Sequence, residues 1–496
     1  MASSPSPLRL LPKLQPDPSP ASPILPFPRK RRSGAPPTQS ERNVDLLSRA
    51  TNGVTLSELD RLNQIGRQAW LREQLAPTAQ DNLVLQRTLA ELRSLRLSIS
   101  DVYAQYGPDP SEAVRDIKQA AIVRAVHSDW QLRERMVDFW HDHFSVAIQT
   151  SGRTRLGHHA YDREVIRANV FGSFETMLQA SAKSVSMLEY LNGRENVSGS
   201  PNENYAREVM ELHTLGVDGP YTEEDIAELA RCLTGWSFYP LDDASQAGDF
   251  WFRDNRHDDG PKTLLGLQIP AGGGQSDGET VLSFLAQHPQ TVDFVSRKLV
   301  HRFVSETAPE SAVDLVKGAW IRGGGDLRIV TAVLFSDEVA NAASPWDHRK
   351  VKRPFQFAAG LLRALDLRTD NGYKTVMFRL TGMGQDLFAW PAPNGYPDSS
   401  AAWSGDLYGR WEFAAGVARG NVAGIVFPDS QLVEIGGGVP TTALAERLSQ
   451  VLTAGRAEQA DVASLQAWID GQSNFDARDF RDAITVMASS PDFFNA

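Results

Sequence analysis

The 496-residue chain has a single cysteine, Cys232. An intramolecular disulfide and a thiolate metal cluster are therefore both excluded. Cys232 lies inside "EEDIAELARCLTGW", a helical pattern, and reads as a small buried hydrophobe. No apolar run reaches the ~18 residues that a membrane-spanning helix needs. G-x-S-x-G, H-E-x-x-H and the EF-hand loop are all missing. "IRGGGDLRIV" is rich in glycine, but it lacks the lysine and the spacing of a phosphate loop and reads as a turn into a helix capped by Asp326. Positive charge is also scarce: the net charge is −11. The imbalance is greater in the body, because Arg9, Lys13, Arg29, Lys30, Arg31 and Arg32 face only Asp17 within residues 1–40. An acidic body argues against nucleic acid as a partner.

Proline is concentrated at one end. Eleven of the 29 prolines fall within residues 1–40. At that density helix and sheet ladders are blocked and little apolar surface is left to offset ordering, so residues 1–40 read as a disordered basic tail. No apolar segment follows "RKRR", so no export signal is read in the chain as written. That places the protein in the cytoplasm by default, and in the periplasm or outside the cell if the start codon is misassigned.

Helical periodicity is abundant. From residue 43 onward, apolar residues recur at three- and four-residue spacing. Thr55 to Glu58 ("TLSE") has the form of a capping box. Ser200-Pro201-Asn202-Glu203 offers a serine cap, a first-turn proline and a capping glutamate, and Gly216 would close that helix. Thr222, followed by acids, begins another, which stops at Gly235. "AGGGQSDGE" reads as a mobile loop, with helices expected at 278–288, 289–304, 309–321 and 326–339. Residues 383–403, rich in proline, glycine and aromatics, read as ordered but irregular. The only β signal lies at 249–269, where alternating aromatics, an "HDDG" turn and an apolar run predict a hairpin. The fold class that follows is mainly α: a large multi-helix single domain over residues 41–496, with one small β-hairpin excursion.

Two stretches carry candidate chemistry. In "FWHDHF" (139–144), His143 extends the Met136–Phe139–Trp140 face, while His141 continues toward the flank of the helix. Residues two positions apart on a helix differ by about 200° around its axis, so one helix cannot aim both rings at one ion. His143 is either a core histidine bonded to a carbonyl or a site group tuned by an aromatic wall. In "NENYAREVMELHTLGV" (202–217), Asn204, Arg207, Glu208 and Glu211 share one polar stripe. That stripe is an ordinary solvated face, or it supplies paired carboxylates to a cleft. His143, Glu208, Glu211 and Arg207 are the catalytic candidates. His141, His143, Glu208 and Glu211 are the metal candidates, and a divalent cation held there would activate water for hydrolysis. His257, Asp258 and Lys262 are further candidates, with a surface turn as the plain alternative. A carboxylate, Glu208 or Glu211, is the partner expected for His143.

The quoted stretches occur in a recognisable order: "LLSRATNGVT", "MVDFWHDHFSV", "MLEYLNG", "PNENYAREVMELHTLGVDGPYTEEDIAELARCLTGW", "HDDGPKTLLG", "VKRPFQFAAGLLRAL" and "MGQDLFAWPAPNGYP". Over residues 43–493 the chain resembles the bacterial domain-of-unknown-function family number 1800. The resemblance implies a mainly helical, often exported protein whose gene often neighbours that of a sulfatase-like protein, a possible partner. It also implies that His141, His143, Asn202, Glu203, Asn204, Arg207, Glu208, Glu211, His257, Asp258 and Lys262 are the family's characteristic polar residues. Two positions depart from the pattern: Asn192 stands where members often have aspartate, and His213 where they often have phenylalanine. The function expected is a hydrolase-type or metal-assisted enzyme, with a non-catalytic helical binding or scaffold protein as the alternative.

Overall fold

The computed structural model describes residues 37–243, 245–343, 350–405 and 407–495. Most of the tail read into residues 1–40 lies outside them. Within them the first helix is Gln39–Ala50, and Thr38 and Glu41 form its reciprocal capping box. The architecture is mainly α, as the periodicity implies.

Apolar spacing fixes where helices lie, and polar tertiary contacts fix where they end. Thr55 accepts from the Glu58 amide and starts the Leu56–Ile65 helix. The reciprocal half of that box is incomplete, because the Glu58 carboxylate goes instead to Arg363 at 2.5 Å. The cap of the next motif helix is Asn202, not Ser200. Ser200 is held in a β-bridge to Val197, so the helix begins only at Glu203. Asp326 and Thr222 cap as expected. The stretch read as a mobile loop ends early. Helix begins at Gln275, because Asp277 is drawn into the interior by Lys262.

The β structure among the described residues is three two-stranded antiparallel sheets. β1 (Trp236–Phe238) pairs with β2 (Phe250–Phe252), and β3 (Lys262–Leu264) pairs with β4 (Leu267–Ile269). β5 (Arg368–Thr369) pairs with β6 (Ile425–Val426). The "HDDG" stretch is therefore not the turn of a hairpin but the link between two hairpins. The aromatics of β2 find their partner upstream at Trp236, where both strands bury apolar surface.

The core comes in two large clusters, with a small third one of Val351, Tyr396 and Trp403. The first runs from Leu46 to Ala343 and holds Trp140, Phe144, Phe174 and Trp320. The second joins Leu85 and Ile122–Val126 to side chains from Phe355 through Phe494. The Ser111–His127 helix serves both, with Ala113 in the first and Ile122, Val123 and Val126 in the second. The bend at Gly53 approaches the Pro354–Ala364 helix so closely that a Cβ there would stand 2.5 Å from the Gly360 Cα, so only glycine fits. Arg363 stitches the same seam, donating to the Gly53 carbonyl at 3.1 Å.

The Gln131–His143 helix sits in the first cluster and is buried on nearly every side. It packs against the Gln39–Ala50, Arg67–Gln74 and Ser111–His127 helices and the Tyr161–Arg167 segment. Burying a phenylalanine-sized side chain contributes ~1.5–3 kcal/mol, so this helix is a principal source of stability.

Candidate functional site

Helical winding continues through His143, and the two rings of "FWHDHF" point to different sides. Both sides are covered. His143 is 1 % exposed and His141 8 %. The expected flank position of His141 fails because the Tyr161–Arg167 segment and Phe388 close over it.

His141 bonds Asp162 through Nε2 at 2.9 Å. Asp162 also accepts from Arg167 Nε at 2.9 Å, and the Arg167 guanidinium extends to Glu134 at 2.9 Å. Arg124 stands 3.5 Å from the same aspartate. Burial works to raise the Asp162 pKa, but Arg167, the His141 bond and Arg124 outweigh it and hold the carboxyl well below the carboxylate range. The Phe388 ring lies 4.7 Å from His141, and the His158 ring is stacked at 5.8 Å. Both His158 ring nitrogens are buried without a partner among the described residues. Burial, together with the His141 ring, keeps its pKa well below the usual value.

His143 donates to, or accepts a proton contact at, neither glutamate. Its Nε2 lies 3.1 Å from the His213 carbonyl oxygen, so this nitrogen carries the proton and donates. The expected Glu208 or Glu211 partner is thus replaced by a backbone group. Phe139, Trp140, Phe144 and Phe174 surround the ring. Burial and the nearby Lys298 push its pKa well down, opposite to the rise that a carboxylate would cause.

Asp142, between the two histidines, turns the other way. It is bonded to Arg353, which also donates to Asp398 at 2.6 Å. Arg302 joins Asp398 at 2.6 Å and bonds Asp138. The network ties the Gln131–His143 helix to the irregular 383–403 segment. Burial opposes ionisation of Asp398, yet Arg302, Arg353 and Lys350 hold its carboxyl far below the ordinary range.

The second motif winds unusually. Glu203–Glu208 is α-helical, and Val209–Thr214 continues as π-helix. Tyr161–Arg167, which carries Asp162, is π-helical as well. π-Winding is rare and often lies at functional positions. The wider turn moves Glu211 and His213 off the register of an α-helical stripe. Arg207 meets Glu223 at 2.6 Å, Glu211 at 3.4 Å and Glu203 at 3.5 Å, all on the exposed side. Glu208 is half-buried and makes no hydrogen bond among the described residues. Burial and Glu211 raise its pKa, against Arg207. Asn204 caps back to the Leu191 carbonyl at 3.1 Å.

The third motif is internal, not a surface turn. His257 Nδ1 donates to the Thr234 carbonyl at 2.9 Å, and Nε2 lies 3.2 Å from Asp277. Lys262 donates to Asp277 at 2.5 Å and to the Asp258 carbonyl. Asp258 itself pairs with Arg231 at 2.9 Å, which takes its pKa down to about 2.

The family described as "Protein of unknown function (DUF1800)" matches residues 45–495. The chain belongs to the DUF1800 family. No curated protein and no solved structure matches it. Against the family's characteristic residues, the structure separates what the sequence grouped. His141, His143, Glu208 and Glu211 do not converge on a point, and no group of three or more His, Cys, Asp or Glu side chains is arranged to hold an ion among the described residues. A divalent cation does not fit this set, because His141 is spent on Asp162 and His143 on a carbonyl. The stretch that carries His257, Asp258 and Lys262 is locked into the core by the Lys262–Asp277 pair. Asp162, Arg167, Glu134, Arg302, Arg353, Asp398 and Asp277 were not singled out from sequence. Apart from the Asp162–Arg167 pair, five residues apart, their partners lie 15 or more residues away, beyond the reach of local spacing. No helix of the described residues is long and apolar enough to cross a membrane.

Proposed function

We propose that this DUF1800 protein is a helical binding protein whose motif residues are internal ties and whose acidic 203–223 face meets a partner. One observation carries this reading: the buried motif groups spend their bonds on other protein groups. His141 goes to Asp162, His143 to the His213 carbonyl, Lys262 to Asp277 and Asp258 to Arg231. The Glu203, Arg207, Glu208, Glu211 and Glu223 cluster keeps a solvent-facing side. Glu203, Glu211 and Glu223 share the one Arg207 guanidinium and Glu208 adds a fourth carboxylate, so the face is acidic. Exposed ion pairs add only ~0–1 kcal/mol to stability, so stability does not account for the cluster. The partner implied by the family resemblance is the sulfatase-like protein encoded nearby, engaged through a basic surface. Co-purification of the two proteins tests this. A complex that weakens at least about tenfold in the Glu203→Lys/Glu223→Lys double variant, with an unchanged melting temperature, is the expected result. Failure of the purified proteins to associate would overturn it.

A second reading rests on Glu208 alone. A half-buried carboxylate with a raised pKa and no hydrogen bond has the character of a general acid–base group. On that reading the protein is a metal-independent hydrolase. Glu208→Gln would abolish turnover across an ester and phosphoester panel, while Glu211→Gln would leave most of it. Absence of turnover by the parent protein rejects this reading.

A further inference from the structure

Strand β3, the linker before it and the Gln275–Gln287 helix meet at three enclosed side chains. Lys262, His257 and Asp277 are each no more than 2 % exposed at the side chain. Lys262 Nζ lies 2.5 Å from Asp277 Oδ2 and 3.4 Å from His257 Nε2. It also bonds the Asp258 carbonyl. His257 Nε2 lies 3.2 Å from the same Asp277 oxygen. The Phe252 ring covers His257 at 5.3 Å. The backbone at Gly273 lies against the carboxyl, since a Cβ there would stand 1.9 Å from Asp277 Oδ1.

Proton positions decide the state of this cluster. His257 Nδ1 donates to the Thr234 carbonyl, so a neutral imidazole has only a lone pair at Nε2. The contact between that lone pair and Asp277 Oδ2 is attractive only with a proton between them. A buried ammonium–carboxylate pair is also costly, and moving one proton from Lys262 to Asp277 removes both charges. The Asp277 acid then donates from Oδ2 to His257 Nε2. One amine proton of Lys262 is held by the Asp258 carbonyl, which leaves the nitrogen lone pair free to turn toward Asp277 Cγ. Cγ lies one bond beyond Oδ2, close to the roughly 3–3.5 Å spacing of groups poised to react.

We infer that Lys262 and Asp277 condense to an intramolecular isopeptide bond, with His257 carrying the proton. The Nζ lone pair forms the bond to Cγ. His257 Nε2 takes a proton from the attacking nitrogen and delivers it to Oδ2. The Cγ–Oδ2 bond breaks, and that oxygen leaves as water with its own proton and the delivered one. The product is a neutral secondary amide, and nothing is oxidised or reduced. Such a condensation is unfavourable between free groups in water. Groups held face to face reach effective concentrations of ~10⁵–10⁸ M, which reverses the balance. The bond closes the span from Lys262 to Asp277, 15 residues apart, in a chain whose lone cysteine offers no disulfide. It is independent of the partner face proposed above.

Tryptic digestion of the denatured full chain, read by mass spectrometry, tests this. Trypsin cuts after Lys262 when its amine is free and not when it is acylated. The expected product is one uncut peptide spanning residues 257–297, lighter than its sequence by one water. Lys262→Arg should be cut at that position and keep its full mass. Folded His257→Phe protein should form the bond at least about a hundredfold more slowly after synthesis. Cleavage at Lys262 with both peptides at full mass would overturn the inference. So would a 263–297 peptide short of one water, which is a succinimide at Asp277-Gly278. Equal linking in folded His257→Phe would overturn the proton relay. The digest of the parent decides the bond whether or not a variant folds.

Discussion

His213 sits in an apolar, aromatic position beside Phe144. It is fully buried, its ring is 5.2 Å from that of Phe144, and neither nitrogen has a partner among the described residues. Burial and Lys298 push its pKa down to about 3. In the unfolded chain it titrates near ~6.5. Below that pH the unfolded state takes up a proton that the folded state refuses, so stability is lost as pH falls from about 6.5 toward 3. His143 and His158, also held neutral, act in the same direction. His213→Phe should therefore stabilise the protein by about 1–3 kcal/mol at pH 7.5. The gain should widen on acidification, by up to ~1.4 kcal/mol per pH unit. Urea titrations at pH 7.5 and 5.5 measure both numbers. A variant less stable than the parent at both would mean that His213 has a partner in solution. The sequence marked this residue as atypical. It did not reveal that the His213 backbone, rather than a glutamate, satisfies His143, because π-winding after Glu208 changes which groups face the Gln131–His143 helix.

At the level of elements, the Lys262–Asp277–His257 cluster fastens β3 to the Gln275–Gln287 helix and the linker before it. Lys262 and Asp277 are each about 2 % exposed. Removing one partner of such a pair leaves an uncompensated buried charge and costs about 3–5 kcal/mol. Lys262→Met should destabilise by that amount. Adding Asp277→Leu should recover part of the loss, because the two sites share one interaction. A double-mutant cycle by chemical denaturation checks this, and simple additivity would refute the coupling. The cluster also shows where sequence reading stops. Helices such as Pro289–Phe303 and Glu310–Gly323 were legible from periodicity, and Thr222 and Asp326 from capping chemistry. "HDDGPK" was visible as a motif, but its aspartate partner lies in a glycine-rich stretch that has the composition of a loop. Ion pairing across 15 residues has no periodic signature.

Across the whole molecule, two core clusters meet along a seam of glycine, arginine and buried charge. Gly53→Ala places a methyl 2.5 Å from backbone that cannot yield, so it should destabilise by at least about 1–3 kcal/mol. If the seam couples the clusters, calorimetry should show one transition in the parent and two in this variant. A variant that melts as one unit at an unchanged temperature would show that the seam transmits little. The same seam bears on the order in which the protein is made. A ribosome presents Ile122, Val123 and Val126 early, yet the residues that cover them include Phe355 through Phe494. The first cluster is complete once Ala343 has emerged. The second must wait, with one side of the Ser111–His127 helix uncovered, until Phe493 and Phe494 are synthesised. A nascent chain that stalls in that interval exposes an apolar helix face, which is the kind of surface that chaperones hold and that aggregation consumes.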